Sequence, residues 1–163
     1  MSDLFLKDKY FMSKALEEAK LAFQEDEIPV GAVITIKNKI ISRAYNMTEQ
    51  LNDVTAHAEM LAITSASNYI GGKYLLGCTI YVTLEPCAMC MAALKYSQIK
   101  RVVYGAPDTN KRGSFNSEWS LPKNIFITVS YTHLRAHETG RNGGCRRLGG
   151  KKKGGGGGGG GGG

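Results

Sequence analysis

Between residues 8 and 23 the apolar side chains of Phe11, Met12, Ala15, Leu16, Ala19, Ala22 and Phe23 recur at the spacing of one helical face, with Lys14, Glu17, Glu18 and Lys20 opposite them. That pattern predicts a first helix, and Pro29 blocks its continuation. The runs VGAVITIK and ISRAY then flank the polar pair Asn38 and Lys39, which predicts a hairpin of two antiparallel strands. A polar loop covers residues 46–54, and Asp53 or Thr55 can cap a second helix over about 56–68, with Met60, Leu61 and Ile63 among its core candidates and Gly71 and Gly72 closing it. A strand follows at 79–84, and Pro86 suits the first turn of a third helix running to about Tyr96. Strands at 102–105 and about 125–128 complete the order, while the isolated Gly31 and Gly105 read as turn or close-packing positions.

Strands alternating with helices favour a mixed α/β sheet, here of five strands, sandwiched by helices, because each helix has one apolar stripe that must find a sheet face. Neither an internal repeat nor a glycine-rich phosphate loop is present, so no nucleotide cofactor is expected. The longest apolar stretches, such as Val30 to Ile36, fall far short of the ~20 residues of a membrane helix.

Composition changes this picture only near the end of the chain. A length of 163 residues suits one domain, yet after about Thr128 no apolar periodicity survives, and Lys151 to Lys153 lead into unbroken glycine from Gly154 to Gly163. Residues 129–139, VSYTHLRAHET, back-translate onto a common sequencing-library adapter, so the expected division is one folded domain over 1–128 and a non-native or disordered basic, Gly-rich tail over 129–163. The tail holds seven of the 21 Lys and Arg and one of the 14 acids, which leaves 14 − 13 = +1 for residues 1–128. The formal +7 of the whole chain therefore carries no case for a nucleic-acid partner. Outside the tail remain one histidine, His57, and three cysteines, Cys78, Cys87 and Cys90, a pattern that suits a reduced, cytoplasmic protein better than a disulfide scaffold.

His57, Cys87 and Cys90 supply three ligands of the kind a catalytic zinc prefers, leaving its fourth position for water. Cys87 and Cys90 lie three apart at a helix start, where their sulfurs share one face and the helix N-terminus favours thiolate; His57 is expected in the first turn of the other helix. Glu59 is too close to His57 to share its helical face as a co-ligand, yet close enough to move a proton of bound water, which makes it the candidate general acid and base. Singly, these residues have duller explanations, namely a satisfied histidine and a core, redox or structural-zinc CxxC pair. Together, His57-Ala58-Glu59 followed by Pro86-Cys87-Ala88-Met89-Cys90 match the H-x-E and P-C-x-x-C signature of zinc base deaminases. Cys78 would close the site as a structural Cys₃His centre if it reached the metal, but a strand of ~3.3 Å per residue separates it from Cys87.

At these residues the chain resembles the bacterial tRNA-specific adenosine deaminases, over about residues 5–128. Glu27 to Val33, Asn46, Asp53 to Met60, Tyr81 to Cys90 and Val103 to Ala106 carry the resemblance. It implies a cytidine deaminase-like three-layer α/β/α sandwich, one zinc per subunit, a homodimer and a tRNA anticodon stem-loop as partner. It further implies zinc on His57, Cys87 and Cys90, proton transfer by Glu59, a hydrogen bond from Asn46 to the flipped base, and a pocket lined by Pro29, Val30, Ala58 and Leu84. Asp108 would lie near the nucleotide backbone, and Lys111 and Arg112 could meet phosphate, although a solvated charged loop explains these three equally well. The family's C-terminal helical segment is replaced here by the tail, which predicts reduced stability and weak RNA binding. Met91 and Lys95 depart from the family in a helix it uses for dimer contact. A free-base deaminase acting on guanine or cytosine shares the fold and motif, and a non-catalytic zinc subunit is a third reading that Glu59 disfavours.

Overall fold

Helix α1 spans Asp3–Gln24, its first turn capped by Ser2 Oγ, which accepts from the Phe5 N–H at 3.4 Å. This computed structural model describes residues 2–108 and the backbone of a strand at Phe126–Val129. The helix begins well before residue 8, and its periodicity misses that first turn because Leu4, Phe5 and Leu6 are exposed and add nothing to the buried face. Phe11, Met12, Ala15, Ala19 and Ala22 are buried as the pattern required, but Phe23 is exposed, and Glu18 is buried with Arg43 3.7 Å away. Burial pushes the Glu18 carboxyl above its usual range, with Arg43 opposing it.

Strands β1 (Gly31–Ile36) and β2 (Lys39–Tyr45) form the hairpin. Its turn is Lys37-Asn38, one residue earlier than the sequence suggests, and both residues take left-handed φ (47° and 61°), the requirement of a type I′ turn. Helix α2 is Ala58–Ile70, β3 is Cys78–Leu84, α3 is Ala88–Tyr96 and β4 is Arg101–Ala106. Four strands therefore lie within 31–106, in the order β2-β1-β3-β4, and β5 (Phe126–Val129) pairs in parallel beside β4. β1 is antiparallel to both β2 and β3, whereas β3 and β4 run parallel because α3 carries the chain back between them.

The pleat sorts the core into two layers. Ala32, Ile34, Ile80, Val82, Val102 and Tyr104 face the side that α2 and α3 cover, while Val33, Tyr81 and Val103 meet Phe11, Met12 and Ala15 of α1. The result is an α/β/α arrangement. α2 docks through Ala58, Ala62 and Ala66, with Leu61 and Ile63 half-buried at the margin, so its small residues and not its large ones set the contact. Small side chains let helix and sheet backbones approach, and Ser42 Oγ uses the proximity to donate to the Ala62 carbonyl at 2.8 Å. No helix among the described residues is long and apolar enough to cross a membrane.

Gly31 acts as a close-packing glycine, as its isolation suggested, whereas Gly105 lies inside β4. A Cβ at position 31 would collide with the backbone of Ala15 and Ala19 and lie 2.7 Å from Glu18 Cβ. Gly31→Ala is expected to destabilise by about 3 kcal/mol, the upper end of overpacking costs, because backbone cannot rotate away; chemical denaturation measures it.

On the α1 side, Asp8 is buried and accepts bidentately from Arg101, Nη1 to Oδ1 at 2.7 Å and Nη2 to Oδ2 at 2.6 Å, with Tyr81 Oη donating to Oδ1 at 2.9 Å. Burial first, then the Asp8 charge, raises the Tyr81 phenol far above its usual range, so it stays a donor. Asp8→Ala removes the carboxylate from a charge that stays behind and should cost about 3–5 kcal/mol, read as a fall in the urea midpoint.

Candidate active site

Two helix N-termini build the site. β3 ends at Leu84, Glu85 N–H donates to the Ala106 carbonyl at 2.8 Å, and the buried Pro86 turns the chain into Cys87, the N-cap of α3. Pro86 thus precedes the helix and does not occupy its first turn. His57 is likewise the N-cap of α2, one position outside the first turn expected for it. Asp53 accepts from the N–H and Oγ1 of Thr55 at 2.8 and 2.7 Å, making a local turn before the helix and leaving the cap position to His57. Neither N-cap side chain makes a capping hydrogen bond, so both imidazole and thiol project freely to a shared point.

At that point His57 Nδ1 lies 3.6 Å from Cys87 Sγ and 3.5 Å from Cys90 Sγ, and the three ligand atoms fall within 4.8 Å of one another. Zinc bonds of about 2.3 Å to sulfur and about 2.0 Å to nitrogen, set at the tetrahedral angle, place N and S about 3.5 Å apart. The donor set and spacing therefore fit a zinc ion with three protein ligands. Cys78 takes no part: it is fully buried at the opposite end of β3, its thiol 3.9 Å from the Leu76 carbonyl, and burial raises it.

The two sulfurs divide their proton unequally. A hydrogen bond from Cys90, with help from His57 and against the cost of burial, lowers Cys87 to about 4. The Cys90 thiol is pushed up by the same bond, by burial and by the Glu59 charge. His57 is raised, chiefly through its hydrogen bond to Cys87. Glu59, the second residue of α2, is buried, and its charge acts on Cys90. Burial raises it above the ordinary carboxylate range although its backbone amide and His57 pull it down.

The other expected site residues gather at the same end of the sheet. The antiparallel register brings Pro29 and Val30, both half-buried before β1, level with half-buried Leu84, and Gly31 N–H donates to Thr83 Oγ1 at 3.2 Å. Asn46 is buried, its N–H bonded to the Val30 carbonyl at 3.0 Å, and the next residue, Met47, donates to the Ala56 carbonyl at 3.0 Å. Ala58 is fully buried beside His57. Asp108, two residues beyond β4, donates its N–H to Glu85 Oε2 at 2.9 Å. Lys111 and Arg112 lie outside the described residues, as does the tail beyond Val129. Met91 is buried in the core, which removes it from any exposed face of α3, whereas Lys95 is exposed. Sequence reasoning assigned no role to Glu27, a buried carboxylate that accepts from Asn46, Thr48, Glu49 and Gln50. Only its place directly before Ile28-Pro29 in the familial segment could have marked it.

An α/β/α sandwich with histidine and two cysteines converging from two helix N-termini beside a buried glutamate defines a zinc-dependent deaminase fold and site. Residues 6–106 match the family described as the cytidine and deoxycytidylate deaminase zinc-binding region, and the chain belongs to that family. Within it, the chain is 52% identical over 105 residues to the tRNA-specific adenosine deaminase of Aquifex aeolicus, covering 64% of this chain and 70% of that one. It is 48% identical over 99 residues to the enzyme of the same name from Agrobacterium fabrum, covering 61% and 65%. A solved structure from work on A-to-I editing by tRNA:A34 deaminases at the wobble position superposes with a TM-score of 0.66 at 39% identity, covering 74% of this chain and 98% of that one.

Proposed function

We propose that this chain catalyses hydrolytic deamination of the wobble adenosine to inosine in a tRNA anticodon loop. The observation that carries the chemistry is the tetrahedral spacing of His57 Nδ1 with the Cys87 and Cys90 sulfurs beside buried Glu59. About half-identity to tRNA-specific adenosine deaminases favours that substrate over a free base. Zinc held by these three ligands supplies a Lewis acid that makes water nucleophilic at neutral pH. Glu59 accepts one proton of the attacking water and passes it to the ring nitrogen next to the carbon under attack, then takes the remaining proton of the added hydroxyl and gives it to the leaving amine, so that adenosine and water become inosine and ammonia. Its raised affinity for protons suits a group that must both take and give one near neutrality.

Asn46 hydrogen-bonds the extruded base, and Pro29, Val30, Ala58 and Leu84 line its pocket, all at the sheet end where the ligands converge. Asp108 lies near the nucleotide backbone. A base in a loop is cheaper to extrude than a paired one, which suits an anticodon loop as substrate. The same reading takes residues 1–128 as the deaminase domain, with a five-stranded mixed sheet, acting in the cytoplasm as a homodimer with one zinc per subunit. The test is inosine formation on an anticodon stem-loop carrying a wobble adenosine, with free guanine beside it. Inosine without guanine consumption is expected; guanine consumption without inosine would make the chain a free-base deaminase.

A further inference from the structure

The mechanism leaves the buried carboxylate of Glu27 unused. Glu27, just past α1 and 4% exposed, accepts from the Gln50 N–H through Oε1 at 2.7 Å. Its Oε2 accepts from Asn46 Nδ2 at 3.1 Å, the Glu49 N–H at 3.2 Å and Thr48 Oγ1 at 3.4 Å. Asn46 Nδ2 also donates to Thr48 Oγ1 at 3.2 Å. Every partner is a donor, as an acceptor-only carboxylate requires.

This network dictates which end of the Asn46 amide faces where. Turning the amide over would set its oxygen against a carboxylate oxygen, two acceptors face to face, so the nitrogen must point at Glu27. The oxygen Oδ1 then points away, and it accepts no hydrogen bond from any described residue although Asn46 is only 4% exposed. Buried acceptors are rarely left so, and one that is needs a donor from outside the chain, which beside the candidate metal ligands a bound substrate can supply.

We propose that Glu27 is a positioning residue: it clamps the 46–50 loop and locks the Asn46 amide so that the site offers substrate an acceptor, selecting a nucleotide that brings a hydrogen-bond donor to that point. The inference rests on the adenosine deaminase reading given above. An adenosine carries two such donors, the exocyclic amine and the ribose 2′-hydroxyl. Glutamine at position 27 cannot accept at both oxygens and can let the amide turn, whereas aspartate keeps both acceptors on a shorter stem.

The experiment compares E27Q, E27D, N46A and the E27Q/N46A double variant for kcat and KM on the wobble-adenosine stem-loop, with zinc content and thermal melting measured alongside. Expected is a loss of about tenfold or more in kcat/KM for E27Q with zinc retained, partial recovery in E27D, and no further loss when E27Q is added to N46A. A wobble 2′-deoxyadenosine identifies the donor: an E27Q penalty that disappears assigns the 2′-hydroxyl, and one that persists assigns the amine. Losses that multiply independently, or an E27Q enzyme as active as the parent, overturn the proposal, as does a loss that follows zinc content. Should the parent make no inosine, the functional reading fails and the clamp is still decided without substrate. Hydrogen exchange at the Glu49 and Gln50 amides must then accelerate in E27Q, and unchanged protection refutes the clamp.

Discussion

Glu59→Gln is expected to lower inosine formation by about 10³-fold or more while zinc content and melting temperature stay near those of the parent. The substitution keeps shape and hydrogen-bonding capacity at a buried position but removes the carboxylate proposed to exchange protons with the attacking water. General acid–base groups contribute roughly 10²–10⁴-fold per step, and this one serves in sequence as base and acid, which puts the loss at the upper end. Stability should hold because burial makes the charged carboxylate costly, and a neutral amide in the same space is not penalised. Metal analysis and single-turnover assays check both halves. Full activity in the variant would take the proton-transfer role away from Glu59.

Removing the metal is expected to have the second large effect, with a direction in pH that follows from the two thiols. Without metal, Cys87 is thiolate above about pH 4, while Cys90 keeps its proton through neutrality. Zinc binding is therefore expected to displace a proton from Cys90, and affinity rises about tenfold per pH unit where His57 is already neutral. His57, raised above 6.5, adds a second proton to displace at lower pH, so the slope steepens as pH falls. Competition against a chromophoric chelator between pH 6 and 8 reads that slope, and a flat profile would contradict the proton-sharing pair. Free zinc at a hundred times its Kd stabilises the fold by about 2.7 kcal/mol. Chelation should accordingly lower the melting temperature by roughly 10 °C for a domain of this size.

Much of this was legible in the residues themselves. The helical face of α1, the alternation of β1 and β2 and the glycines after α2 each follow from local physics: a period of 3.6, a period of 2, and Gly71 in the left-handed conformation with φ 72°. The ligand set was legible too, because two cysteines three apart at a helix start share one face whatever the rest of the chain does. Small errors arose where local rules compete. Asp53 could cap a helix or make a turn with Thr55, and it makes the turn, which moved the start of α2 past His57. Met60 and Leu61 promised a core that Ala58, Ala62 and Ala66 supply, since α2 is drawn close to the sheet.

By itself, then, the sequence determined the order of elements and singled out the three candidate metal ligands and the glutamate proposed for proton transfer, because each depends on spacings of a few residues. Only the tertiary structure decided that His57 meets two sulfurs 30 and 33 positions away at tetrahedral distance, that Asp8 is sealed beneath Arg101 and Tyr81, and that Asn46 Nδ2 faces the Glu27 carboxylate. Those are contacts between groups distant along the chain. A polar residue that will be buried reads no differently from one that will be solvated until the fold brings its partners to it.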